Sequence, residues 1–274
     1  MKAVSLTYKN HPLTAQSILR RARESRGSSL PLTERHLAED RHTRITDQNH
    51  IGGSHFVRQL ARDAGIGRRS RVLDLGCGLG GPARLLAMWY GCHALGVDVS
   101  PSRCEDATEL TRVVGLQRKV AFLCGDFMRV SRPSEKFDVL WGQGAWDHVD
   151  NKNAFMRRWI PSLSKGGRIA FEDSVLRRRP AGKDEVRLLA RLSKIWAAYI
   201  VCPEDWCGVF HRNGCSVSFS CDLSEEMAID CLQMLAAIGR LTKYPRSERN
   251  GFECALELLH RGVLGYARIV AVKG

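Results

Sequence analysis

"RVLDLGCGLGGPARLLAMWYG", residues Arg71 to Gly91, decides the fold. Glycines at positions 76, 78, 80, 81 and 91 lie in or beside a short apolar run. Glycine inside a helix costs roughly 0.5–1 kcal/mol relative to alanine, so this density marks a backbone that must turn tightly or admit a close neighbour. "RVLDL" is apolar and β-prone and "GGPARLLAMWYG" is helical, which puts the turn between a strand and a helix.

The spacing is open between two ligand classes. Gly76, Gly78 and Gly81 satisfy the dinucleotide pattern G-x-G-x-x-G, whereas Gly76, Gly78 and Gly80 satisfy G-x-G-x-G. Both patterns follow the first strand of a doubly wound sheet, where ligands bind beyond the carboxyl ends of the strands. Both also call for an acid about 20 residues on to hold a ribose. Asp98, at the end of "HALGVD", suits either.

The alternation continues downstream. "HALGVDVS", "KVAFLCGD", "FDVLWGQ" and "GRIAFED" read as strands. "PSRCEDATELTRVVG" reads as a helix, with Ser100 as N-cap and Pro101 at its first position, and "NKNAFMRRWIPSL" as another. Strands separated by helices indicate βαβ units and a parallel sheet covered on both faces. Upstream, "TAQSILRRARE" reads as a helix and "ESRGSSLPLTE", Glu24 to Glu34, as a loop. After a turn at Gly52-Gly53, Phe56, Val57, Leu60, Ala61 and Ala64 keep a helical period. In the last hundred residues "KDEVRLLARLSKIWAAYIV" and "EEMAIDCLQMLAAIGRL" are helical, and "CSVSFSCDL" and "GYARIVAVKG" are strands.

Four features separate the ligand classes. Asp74 lies in the first strand, where a carboxylate beside the turn can face a cationic ligand. "GDF", Gly125 to Phe127, puts an acid and a ring after the third strand. "FDVLWGQGAWDHV" ends the fourth strand in a polar-aromatic cluster, and "LSKGGRIAFED" with the two closing strands departs from a second mononucleotide half. With these motifs in this order, the sequence resembles the class I S-adenosylmethionine-dependent methyltransferases. "VLDLGCGLGGPARLLA" is similar to their glycine motif, and "DQNHIGG" ahead of it is similar to a segment of the small-molecule branch that closes over the methionine end of the cofactor. That branch includes sarcosine and dimethylglycine N-, sugar O-, tocopherol and sterol C-, and prenyl-diphosphate C-methyltransferases. The resemblance covers about Thr46 to Asp173 well and the closing strands more loosely.

The resemblance implies an α/β, Rossmann-like, doubly wound sheet of seven strands, the last antiparallel. An N-terminal helical extension, residues 1–47, precedes a methyltransferase domain, 48–274, with helical lid insertions over the substrate at about 183–200 and 224–260. It implies S-adenosylmethionine as cofactor, leaving S-adenosylhomocysteine. Gly76, Cys77, Gly78 and Gly80 would meet its methionyl and ribose parts, Asp98 and Val99 the ribose, Gly125, Asp126 and Phe127 the adenine, and Gln143 and His50 the methionine end. Asp74 would order the turn.

Methyl transfer needs an aligned nucleophile and, for a hydroxyl or carbon acceptor, a base. His148 is the leading base, because histidine titrates near neutrality and the matching position in related enzymes commonly carries one. Glu172 and Asp173 end the fifth strand on opposite faces, so one is expected to reach the cleft mouth; Asp147 and His50 are further candidates. Trp141 and Trp146 can pack on a substrate or a cation, and Trp196, Tyr199, Trp206 and Phe210 suggest an apolar chamber. Were the chamber to hold an anion, Arg177 to Arg179 and Arg212 would be its partners; otherwise they are solvated surface.

Bulk properties fit this class. A net charge of +13 with widely spread basic residues gives no nucleic-acid patch, and no apolar run is long enough to cross a bilayer. The N-terminus "MKAVSLTYKNHPLTAQ" lacks the apolar core of a secretory signal, so a cytoplasmic location is expected. Ten cysteines without a CxxC pair read as reduced thiols, and no metal site is expected. The expectation is therefore an enzyme transferring a methyl group to a small molecule in specialised biosynthesis, alone or as a homo-oligomer. The rivals are a nicotinamide-dependent oxidoreductase and an RNA or protein methyltransferase. Against the second, "GQGAWD" lacks the prolines of the base-methylating box.

Overall fold

The computed structural model describes residues 11–25, 31–40, 43–239 and 245–274. Within them the chain opens with helices α1 (Ala15–Glu24), α2 (Glu34–Ala38) and α3 (Gly53–Asp63). Thr14 and Ser17 cap α1 reciprocally, each hydroxyl accepting the other's amide, which satisfies two donors the helix leaves over. The loop expected over Glu24–Glu34 falls partly on residues 26–30, and the start of the N-terminal extension on residues 1–10; both lie outside the described residues. Helix α2 was not expected, since five residues are too few to display a period.

The expected alternation follows: β1 (Arg71–Leu75), α4 (Gly81–Tyr90), β2 (His93–Asp98), α5 (Pro101–Val113), β3 (Val120–Cys124), β4 (Phe137–Gln143), α6 (Lys152–Trp159) and β5 (Leu163–Leu176). The chain then forms α7 (Gly182–Trp196), α8 (Pro203–Arg212), β6 (Cys215–Asp222), α9 (Ser224–Ile238), α10 (Arg246–His260) and β7 (Leu264–Lys273). Seven strands make one sheet in the order β3-β2-β1-β4-β5-β7-β6. Neighbours from β3 to β5 are parallel, and β7 runs antiparallel to both β5 and β6. The order reverses between β1 and β4, so the crevice beyond their carboxyl ends is where a ligand belongs.

Both faces of the sheet are covered, which explains strands that are nearly apolar throughout. One face carries Trp146, Phe155, Phe171, Trp206 and Phe210; the other carries Val57, Leu60, Leu86 and Trp141. Each such burial is worth roughly 1.5–3 kcal/mol relative to exposure. Trp146 stacks on Phe171 at 4.8 Å and donates its indole N–H to the Leu75 carbonyl at 2.9 Å. Trp141 donates to Gln143 at 3.2 Å. Both tryptophans are core residues and face no substrate space. Trp206 and Phe210 lie on α8, a helix the sequence reading missed although Pro203 at its start and Glu204 and Asp205 in its first turn mark it.

Helices α7, α9 and α10 pack through Leu192, Met227, Cys231, Cys254 and Leu258 into a third cluster over β7. Residues 240 and 241, with which the expected middle helix ends, lie outside the described residues.

The N-terminal segment is fastened to α4 through a charge buried from water on all sides. Arg84 donates to Glu34 at 2.7 Å, Asp47 at 2.6 Å, the Leu79 carbonyl at 2.8 Å and the Thr111 hydroxyl at 3.2 Å. Neither Arg84 nor its two carboxylate partners exposes side-chain surface. A methyl group at Gly81 would collide with the Gln48 side chain and the Asp47 carbonyl, so glycine there lets residues 46–50 lie across the start of α4.

Candidate active site

The glycine turn leaves β1 and is stitched to the end of β2. The amides of Gly76 and Cys77 donate to the Val97 carbonyl at 2.8 and 3.2 Å. Gly76 has φ +90°, and a Cβ there would lie 2.5 Å from that of Ala145, so glycine is required twice over. Gly78, at φ +52°, has open space where a Cβ would project. Its amide donates to one oxygen of Asp98 at 2.9 Å while Ser100 donates to the other at 2.9 Å. Asp98 thus fixes the turn and keeps lone pairs for a ligand hydroxyl.

A cleft runs from this turn across the carboxyl ends of β1, β2 and β4. Asp74, Gly76, Cys77, Gly78, Asp98, Val99, Phe127, Gln143, His50 and His148 all line it, together with Arg103 and Asn49, which the sequence reading did not single out. Asp74 is its most informative member. The carboxylate is buried, and its Oδ2 has no hydrogen-bond partner. Burial, reinforced by the nearby Asp98, pushes its pKa up to about 8.

Other expected residues stand elsewhere. Asp126 turns its Oδ1 to the Met128 amide at 2.8 Å and, like Gly80 and Gly125, is not among the residues lining the cleft. Gly125 instead meets Val130, and Gly80 meets Phe122. Glu172 and Asp173 are both buried and neither reaches the cleft. Because both faces of β5 are covered, Glu172 pairs on one side with Arg268 at 2.6 Å and Gln143 at 2.6 Å. On the other side Asp173 accepts the amides of Trp146 and Asp147 at 2.7 and 2.8 Å, bracing the turn that carries His148. Ser174, one residue on, is the β5 residue that lines a second, larger space.

That space is a second cavity of about 670 Å³, walled by α7, α9, α10 and the N-terminal segment. It is within the roughly 300–1,000 Å³ range of small-molecule sites. Cleft and chamber share Asn49, His50, Gly144 and His148, so two imidazoles stand where the two spaces meet. The cleft itself holds about 60 Å³ of free space and is bordered on one side by Asp47, Asn49 and His50. Of the four aromatic residues expected in the chamber, Trp196 lines it; Tyr199 is exposed and Trp206 and Phe210 belong to the core.

His148 lies in a short 3₁₀ turn, Trp146–His148, after β4. Its Nδ1 is 3.3 Å from the Ala197 carbonyl, an acceptor, so Nδ1 carries the hydrogen and Nε2 keeps the free lone pair. Ala197, the C-cap of α7, adopts φ +51°, a conformation that costs alanine energy and turns this carbonyl toward the ring. Burial holds the His148 pKa below its ordinary value, which favours the neutral ring. His50 is also kept neutral by burial and bonds Gln48 at 3.1 Å and the Ile51 carbonyl at 3.0 Å. Two carboxyls flank the turn: burial raises both Asp147 and Asp173, the latter to about 8 with Asp147 adding to its shift. The thiol of Cys77 is pushed well above its ordinary pKa by burial, which rules it out as a nucleophile at neutral pH.

One consequence is directly measurable. Asp98→Asn removes the charged acceptor from the end of β2, and loss of charge-assisted bonds costs roughly 1.5–3 kcal/mol. Affinity for S-adenosylhomocysteine is expected to fall by about 10- to 100-fold by calorimetry.

Residues 72–167 match the family model described as "Methyltransferase domain". The chain is 31% identical over 138 residues to a protein described as a probable chloroplastic tocopherol O-methyltransferase of Oryza sativa, covering 50% of this chain and 38% of that protein. It is 33% identical over 125 residues to Methyltransferase GfsG of Streptomyces halstedii, covering 46% of this chain and 45% of that one. The chain therefore spans less than half the length of these curated relatives. A crystal structure described as a putative sarcosine dimethylglycine methyltransferase from Galdieria sulphuraria superposes with a TM-score of 0.70 at 20% identity, over 80% of this chain and 85% of that one, which shows a shared fold. Residues 72–167 thus match a methyltransferase domain, and the sheet that contains them shares its fold with that structure.

Proposed function

We propose that the protein transfers the methyl group of S-adenosylmethionine to a small molecule held in the 670 Å³ chamber, in specialised biosynthesis. The observation that carries this reading is one junction: a cleft suited to the donor meets a larger chamber at His50 and His148. The residues present fit the donor. Asp98 faces the place of a ribose, Gly78 leaves its space open, and the unpartnered Asp74 carboxylate suits a cationic group. When bound, the donor supplies a methyl group on positively charged sulfur.

The chain's own work is then positional and protolytic. The Asp98 bonds to Gly78 and Ser100 hold the glycine turn, and the Arg84 network holds residues 46–50 as a cover against water. Alignment of this kind can be equivalent to roughly 10⁵–10⁸ M effective concentration. His148 takes a proton from the acceptor at Nε2, with Ala197 fixing its tautomer. Incubation with donor labelled in the methyl group, against pools of amines, alcohols and hydroquinones, tests the proposal. Labelled product with matching S-adenosylhomocysteine supports it; absence of both from every pool contradicts it.

Asp74 makes cofactor binding pH-dependent. In the free protein it holds its proton up to about pH 8, and a cation beside it favours the carboxylate, so binding expels the proton. Affinity for S-adenosylmethionine is expected to climb by up to about tenfold per pH unit from pH 6 and to level off above about 8. Calorimetry across that range should show this, with the slope lost in Asp74→Asn.

A further inference from the structure

We infer that Cys104 and Cys124 are a thiol-modification site, a reversible disulfide closed by a low-molecular-weight disulfide such as oxidised glutathione, which weakens cofactor binding when it forms. The bond itself is independent of the proposed activity; its effect on the cofactor rests on the methyltransferase reading above. All ten cysteines are free thiols. Cys124 ends β3, the edge strand of the sheet, and is exposed. Cys104 lies in the first turn of α5, which packs on β3, and is buried. The two side chains share a hydrogen bond, so their sulfurs already face each other.

The pair brackets the end of β2, directly behind the carboxylate assigned to the ribose. The strand register sets Cys124 opposite Asp98. The Asp98 carbonyl accepts the amide of Gly125, next to Cys124, at 2.8 Å and the S–H of Cys104 at 3.5 Å. The amide of Cys104 donates to the Ser100 carbonyl at 3.1 Å, and the amide of Ser100 holds the Asp98 carboxylate at 2.9 Å. Arg103, one residue before Cys104, lines the cleft. A disulfide holds its sulfurs roughly 2.0 Å apart, far closer than two thiols in contact. Closing it therefore draws the first turn of α5 onto β3 and removes the S–H that the Asp98 carbonyl accepts. Asp98, Ser100 and Arg103 are displaced together.

Exposure and burial set the order of events. Cys124 is the thiol that a small disulfide can reach. Burial, with the charge of Asp98 adding to it, holds Cys104 above the ordinary thiol range, so it stays protonated and acts second. The Cys124 thiolate attacks one sulfur of glutathione disulfide; a new S–S bond forms as the old one breaks, and one glutathione leaves. The Cys104 sulfur then attacks that of Cys124, its proton leaving with the second glutathione. Two protein thiols are oxidised and one glutathione disulfide is reduced to two glutathiones.

The test treats the full chain with glutathione disulfide, alkylates the remaining thiols and maps the peptides by mass spectrometry. Peptides linked through Cys104 and Cys124 are expected. Calorimetry on the same sample should find S-adenosylhomocysteine bound at least about tenfold more weakly, with affinity restored by dithiothreitol. Cys124→Ser should keep its affinity through the treatment. Cys207→Ser, at the other exposed thiol among the described residues, should lose affinity as the unmodified protein does. Glutathione on Cys124 without a bond to Cys104 overturns the inference, as does a linked pair with unchanged affinity. So does an equal loss of affinity in Cys124→Ser. Failure of the reduced protein to bind S-adenosylhomocysteine overturns the methyltransferase reading instead, and the peptide map then judges the disulfide by itself.

Discussion

Replacing His148 by alanine is expected to lower kcat by about 10²–10⁴-fold, the usual contribution of a placed general base. Three observations support an effect of this size. The ring stands at the boundary of cleft and chamber, so nothing else needs to move for it to meet both spaces. Its tautomer is set by the Ala197 carbonyl, leaving a lone pair on Nε2. Burial favours its neutral form, in which Nε2 can accept a proton. The measurement separates kcat from cofactor affinity, because His148 makes no bond to the glycine turn. S-adenosylhomocysteine should bind the variant within about threefold of the unmodified protein, well under 1 kcal/mol. An unchanged kcat would remove His148 from the mechanism.

Arg84→Met is expected to destabilise the fold by roughly 3–5 kcal/mol, the usual cost of removing one partner from a buried ion pair. The magnitude follows from what remains. Burial holds Glu34 well above the carboxylate range despite Arg84, whereas Asp47 is kept below its ordinary value because its bonds to Glu34 and Arg84 outweigh its own burial. Without the guanidinium, Asp47 becomes a buried anion with no counter-charge. Urea unfolding should show a large fall in midpoint with an unchanged slope. Arg84→Lys should rescue little, since one ammonium cannot replace donors that reach Glu34, Asp47, Leu79 and Thr111 together. Replacing Arg84, Glu34 and Asp47 together by apolar residues of similar size should recover much of the loss. A stability change under 1 kcal/mol in Arg84→Met would mean that the network does not fasten the N-terminal segment.

The sheet was legible in the sequence because its signals are local: glycines between strand and helix, apolar runs of strand length, and an acid at the end of β2. The cleft residues nearest those signals, from Asp74 to Val99, follow from the same turn. What escaped is set by long-range packing. Strand alternation puts Glu172 and Asp173 on opposite faces, but only the structure reveals that both faces are covered, so that each becomes a brace. Asp126 gives one carboxylate oxygen to the Met128 amide, a bond set by local backbone geometry that the sequence pattern does not display. The Ala197 carbonyl on His148 joins residues 49 positions apart, and a backbone atom leaves no trace in side-chain pattern. Likewise Arg177 to Arg179 and Arg212 do not line the chamber, whose wall collects carboxylates from the N-terminal segment, α9 and α10.

The central claim is that the turn from Gly76 to Gly80 cradles an adenosyl sulfur compound under the carboxylate of Asp98. Titration calorimetry of the full chain with S-adenosylhomocysteine, and in parallel with NAD, tests it most directly. The account predicts saturable heat with S-adenosylhomocysteine at one molecule per chain, greatly weakened in Asp98→Ala, and none with NAD. Heat with NAD and none with S-adenosylhomocysteine would contradict it.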